Sequence, residues 1–60
     1  MEDIIKNLMI QYEKEFKKCN STAGINIRNE LLKYKIDTVF AIDLIYFVDS
    51  DDNVIHSFDL

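Results

Sequence analysis

The feature that most constrains this chain is that nothing covalent or metallic can hold so short a sequence together. Its 60 residues include one cysteine, Cys19, and one histidine, His56. An intrachain disulfide is therefore excluded, and one copy lacks the ligands for a Cys/His zinc site. A domain of this length buries only about 60% of the surface of its unfolded chain. Self-association or a bound partner is the remaining source of additional stability.

The composition is that of a folded protein. Hydrophobic residues make up 48% of the chain, which contains one glycine and no proline, so most of it is free to form regular elements. No apolar run is long enough to cross a bilayer, and acidic residues stand at the N-terminus where a secretory signal needs basic ones. We therefore expect a cytoplasmic domain with no membrane contact. Abundant Ile, Lys and Asn are typical of an AT-rich genome, such as that of a low-GC bacterium or its phages.

An amphipathic helix is predicted over about residues 3–19. Its apolar side chains fall within an arc of about 140° at helical spacing: Ile4, Ile5, Leu8, Met9, Tyr12, Phe16 and Cys19. Asp3 at the start and Lys17 near the end match the helix dipole. On this stripe, Cys19 is expected to pack as a small hydrophobe.

A second helix is predicted over about residues 26–35. Asn20 or Gly24 would end the first helix in a left-handed conformation, and Asn26 would cap the second. Because the segment is short and rich in asparagine, an irregular turn is the alternative.

The C-terminal half is predicted to be a β-hairpin. Residues 38–48 are dense in β-branched and aromatic residues and predict one strand. Turn-forming residues follow at 49–53, and 54–58 predict the return strand. The expected fold class is therefore α+β, with two N-terminal helices followed by a C-terminal antiparallel β-hairpin in a single small domain.

The first strand is apolar on both faces apart from Asp43, whereas two helices can cover only one face. The apolar residues assigned to the uncovered face are Val39, Ala41, Ile45, Phe47 and Ile55. An exposed apolar patch usually marks an interface, and an uncovered strand edge invites pairing with another chain. We expect a homodimer or a dedicated partner at this surface, unless the helices flank both faces.

Charge is distributed unevenly along the chain. Seven basic and five acidic residues occupy positions 1–35, and six acids with no Lys or Arg follow. The candidate partner-binding carboxylates are Asp43, Asp49, Asp51, Asp52 and Asp59. An acidic pole steers a protein towards a basic partner, and improved solubility is the alternative role.

No constellation for catalysis or metal binding is recognised. Residues 49–53 begin like a calcium loop, but Val54 and Leu60 stand where an EF-hand needs Gly and Glu. Cys19 and His56 lack a third group to orient them. A domain this small is expected to lack a pocket of roughly 300 Å³. We therefore predict a protein that is not an enzyme and holds neither cofactor nor metal.

The function predicted from these features is that of a small acidic protein-binding module. By analogy with small phage and mobile-element proteins, it would inhibit a basic, nucleic-acid-handling protein, with carboxylates in the place of phosphates. One alternative is a structural protein that assembles through its hairpin. Another is a DNA-binding regulator that uses Arg28, Lys33 and Lys35, although direct nucleic-acid binding is disfavoured because the basic residues are mixed with acids.

Overall fold

The fold is an α+β domain in which two helices precede a three-stranded sheet. The computed structural model describes residues 3–60. The elements in chain order are α1 (Asp3–Lys17), α2 (Ser21–Lys33), β1 (Asp37–Phe40), β2 (Leu44–Val48) and β3 (Val54–Asp59). The strands are antiparallel in the order β1-β2-β3. The predicted class is confirmed, but the predicted hairpin is a three-stranded meander.

The first helix ends two residues earlier than predicted. The N–H of Cys19 donates to the carbonyl of Phe16, and that of Asn20 to the carbonyl of Glu15, each at 3.0 Å. This pair of bonds is the Schellman pattern, which places its C′ residue in the left-handed region. Cys19 occupies that position with φ of 59° and is exposed. The predictions of Asn20 or Gly24 in this conformation and of a buried Cys19 are therefore wrong.

The second helix begins five residues earlier than predicted because Asn20, not Asn26, caps it. The Asn20 side chain accepts from the N–H of Ala23 at 3.4 Å, and its carbonyl accepts from Gly24 at 3.0 Å. Asparagine followed by Ser and Thr suits a helix start as well as a loop. The helix ends in a second Schellman pattern, with Lys35 at φ of 62°.

The predicted strand over 38–48 is two strands joined by a turn at Ala41–Asp43. The N–H of Ala41 donates to the carbonyl of Leu44 at 2.9 Å, which closes this turn. Eleven extended residues would measure about 36 Å, longer than the largest dimension of the domain, 28 Å. Folding back also adds a third strand, and a two-stranded hairpin is marginal by itself in water.

This turn determines which residues of the sheet face the helices. Thr38, Phe47 and His56 lie side by side on the three strands, and Phe40, Ile45 and Phe58 form the next row. These two rows face the helices. The buried apolar cluster consists of Met9, Tyr12, Leu31, Ile36, Ile45, Phe47 and Phe58.

Ile45 and Phe47 are 0% exposed, so their predicted place on an uncovered face is wrong. A continuous strand would put Val39 on the same side as these two residues. The turn instead pairs Val39 with Tyr46, and paired residues share a face. The odd-numbered residues of β2 therefore point to the side opposite Val39.

Candidate functional site

The face of the sheet turned away from the helices is apolar at its centre. We call it the outer face, and its apolar residues are Val39, Leu44, Tyr46, Val48 and Val54. Val39 lies opposite Tyr46, and Val48 lies opposite Val54. None of the five belongs to the buried cluster in the part of the chain that the structure describes. Of these five residues, the sequence analysis placed only Val39 on the uncovered face, because it treated residues 38–48 as one continuous strand.

Carboxylates border the outer face at both ends. Asp37 on β1 lies opposite Val48, and Asp59 on β3 lies opposite Leu44. Asp43 stands at the same end as Asp59, since its carbonyl accepts from the N–H of Leu60 at 3.0 Å.

The other three predicted carboxylates lie at the end of the sheet opposite Asp43 and Asp59, in the turn between β2 and β3. Asp49, Asp51 and Asp52 belong to this turn, and Asp37 lies near it through its pairing with Val48. A meander places successive turns at opposite ends of the sheet. The predicted carboxylates therefore form two groups rather than one acidic pole, and Asp37 joins them as a rim residue that the sequence reading left out.

Asp49 organises the turn at 49–53. Its Oδ1 accepts from the N–H of Asn53 at 3.0 Å and from that of Asp51 at 2.9 Å. The bond from Asn53 above all lowers the pKa of the Asp49 carboxyl below its usual range. Asp52 takes a positive φ of 63°. The predicted turn is confirmed, and the exposed carboxylates that it displays are those of Asp51 and Asp52.

The five apolar residues predicted at the interface are not brought together. Val39 is on the outer face, and Ala41 is exposed in the β1–β2 turn. Ile45 and Phe47 are in the core. Ile55 is half-buried against the core, at a bulge where the pairing shifts between Phe47 and Val48.

His56 lies on the covered face of β3. Its ring stacks on Phe47 with centroids 5.9 Å apart, and its Nε2 is 3.8 Å from Glu13 Oε1. That nitrogen is buried without a hydrogen-bond partner. Over residues 3–60, no three His, Cys, Asp or Glu side chains are grouped so that they would hold a metal ion.

A groove of about 430 Å³ opens between the end of α1, the start of α2 and the end of β1. Its lining includes Tyr12, Phe16, Cys19, Gly24, Arg28 and Phe40. The expectation that the domain lacks room for such a space is wrong. Gly24 contributes no side chain to the lining, and Phe40 is 54% exposed, so the helices and β1 do not close over it.

No helix within the described part of the chain has the length and apolar character needed to cross a membrane. The chain matches no protein-family model, and no curated protein or solved structure is significantly similar to it.

Proposed function

We propose that this protein is a small non-enzymatic binding module whose outer face docks on a basic surface of another protein. The single observation that carries the proposal is the composition of that face, which is apolar along its centre and acidic at both ends. No Lys or Arg follows Lys35, so neither residue type occurs in the sheet. The complementary partner surface has an apolar centre and a basic rim.

The apolar centre supplies the contact area. Tyr46 lies on the central strand, between Val39 on β1 and Ser57 on β3. Tyrosine is enriched among the residues that dominate binding energy, particularly near the middle of an interface. Its neighbours on the same strand, Leu44 and Val48, extend the apolar row along β2. Tyr46 is therefore the anchor that we expect to matter most.

The carboxylates at the two ends of the outer face form its rim, and they affect the orientation of the bound partner and the association rate. The two groups of carboxylates are separated by β2, whose five residues span about 17 Å. Charges at the edge of an interface act mainly on the association rate and on the choice of partner. Basic surfaces of this extent are typical of proteins that bind the phosphate backbone of nucleic acids. Such a protein, inhibited by occupation of its basic surface, is the partner that we propose.

Self-association is the second candidate function. It is favoured by the edges of the sheet, because within residues 3–60 β1 and β3 each pair only with β2 and leave ladder groups unpaired on their other side. Association face to face through the outer face is less favourable. A two-fold axis would bring the acidic rims of two copies together. An assembly of this protein would therefore form through strand edges.

Affinity capture from nuclease-treated lysate of the source organism tests the proposal. The baits are the unmodified protein, Tyr46→Ala on the outer face, and Ile10→Ala as a matched apolar control, because Ile10 is exposed on α1. We expect one stoichiometric partner that Ile10→Ala retains and Tyr46→Ala loses, and whose binding to purified protein weakens as salt rises. Equal capture by both variants would contradict the proposal. Recovery of the protein alone, with a dimer mass by light scattering, would favour assembly through the edges.

A further inference from the structure

The groove beside the helices is a separate site from the outer face. None of the outer-face residues lines it. Its walls are largely apolar, and the rings of Phe16 and Phe40 meet there with centroids 6.3 Å apart. These two side chains are 37% and 54% exposed. The domain therefore leaves aromatic surface uncovered at a concave place, where a ligand buries more area than on a flat surface.

The glycine in the groove is not required by the backbone or by packing. Gly24 lies inside α2 and has no positive φ. A Cβ added there would meet Tyr12 Cε2 at 3.9 Å, an ordinary contact. Glycine inside a helix costs about 1 kcal/mol relative to alanine. Gly24 is buried beside Tyr12, so any side chain at this position would take up space in the lining of the groove.

One charged side chain stands in the lining. Arg28 is exposed on α2 and forms no ion pair with any residue from 3 to 60. A guanidinium donates two parallel hydrogen bonds to a carboxylate, which makes arginine well suited to recognising this group. The site thus joins an apolar wall to a single positive charge.

We propose that the groove binds a small amphipathic carboxylate, with its apolar body on Phe16 and Phe40 and its carboxylate on Arg28. The volume of about 430 Å³ lies in the range of small-molecule sites. One positive charge beside an apolar wall of this size matches a molecule with a small apolar body and one carboxylate. The occupant is therefore a free small molecule.

Calorimetry with decanoate, below its micellar concentration, tests the charge requirement. Arg28→Gln should weaken decanoate binding at least about tenfold, because glutamine offers a neutral donor and loses the charge that strengthens both hydrogen bonds. Lys6→Gln removes a positive charge from α1 at a residue that does not line the groove, and it should leave binding unchanged. Decanol has the same hydrocarbon chain without the charge, and it should bind the unmodified protein and Arg28→Gln with equal affinity. Equal decanoate affinity for the unmodified protein and Arg28→Gln would overturn the proposal.

Cys19 provides a direct reporter of occupancy. It is the only cysteine, it is exposed, and it lines the groove. Saturating decanoate should slow its alkylation by the uncharged reagent iodoacetamide several-fold, and Tyr46→Ala should show the same protection because it lies on the outer face. Unchanged alkylation together with no heat of binding would overturn the proposal. Neither result depends on the partner proposed above.

Discussion

The ring of Tyr12 meets the ring of Phe47 edge-on, with centroids 5.6 Å apart and planes at 87°. This contact joins the middle of α1 to the central strand of the sheet. Edge-to-face packing is a favoured arrangement of aromatic rings, and Phe47 is fully buried by it and its neighbours. Because the two helices lie on this side, the opposite side of β2 becomes the outer face.

Substitutions at adjacent positions of β2 should therefore have opposite consequences. Phe47→Ala removes a fully buried ring and should destabilise the fold by about 3–5 kcal/mol. That is comparable to the whole stability that a core of this size supplies, about 3–5 kcal/mol, so the variant should be unfolded by circular dichroism. Tyr46→Ala should keep its helical signal. Unfolding of Tyr46→Ala and not of Phe47→Ala would show that the faces are assigned the wrong way round.

Cys19→Gly should stabilise the protein. Cys19 holds a left-handed conformation at the end of α1, which costs a residue with a side chain about 1 kcal/mol more than it costs glycine. The exposed thiol makes no compensating hydrogen bond among the described residues. Urea unfolding should give a gain of about 1 kcal/mol for Cys19→Gly. Cys19→Ala is the control, and an equal gain there would exclude backbone strain as the cause.

Gly24→Ala should also stabilise the protein, by up to about 1 kcal/mol. The added methyl group fits beside Tyr12, and alanine restricts the unfolded chain more than glycine does. Urea unfolding measures the change. The same substitution should weaken decanoate binding, because it narrows the groove. A loss of stability would mean that the contact with Tyr12 is tighter than 3.9 Å.

The turn at 49–53 should make stability depend on pH. Hydrogen bonds from Asn53 and Asp51 hold the pKa of Asp49 below its ordinary value of 3.8. The carboxyl of Asp49 is thus protonated more easily in the unfolded chain. The stabilisation that Asp49 provides is complete above about pH 5, and it disappears as the pH falls through the lower folded pKa.

Asp49→Ala tests this dependence. The unmodified protein should have the higher urea midpoint at pH 7, and the difference between the two proteins should shrink below about pH 4. Asp51→Ala is the control, because its carboxylate accepts no hydrogen bond among the residues that the structure describes. A difference that stays constant down to pH 2 would contradict a role for the ionised carboxylate.

Replacing Asp51 and Asp52 with Asn should slow association with the basic partner proposed above. Both side chains are exposed in the β2–β3 turn, so the fold should be unaffected. The association rate at low salt should fall several-fold and become less dependent on salt, since rim charges act through long-range attraction. Stopped-flow or surface-plasmon kinetics measure this. An unchanged rate would leave solubility as the role of these acids.

Local patterns determined that two helices precede a β-structured half of the chain. The apolar spacing of residues 4–16 is enough to predict α1, because residues one turn apart share a face. The turn at Asp49–Asn53 follows from carboxylate and amide side chains that bind their own backbone. Both features depend on residues a few positions apart, and such contacts can be recognised in the sequence.

Tertiary contacts decided which residues of the sheet are buried and which are exposed. Whether residues 38–48 run straight or fold back depends on the room available beneath the helices, and the turn at Ala41–Asp43 reversed the expected positions of Ile45 and Phe47. The same turn brought Asp37 back to a position opposite Val48. The groove likewise depends on Phe16 and Phe40, whose rings meet from separate elements of the chain. Periodicity cannot show these arrangements, because they are set by the packing of residues far apart in sequence.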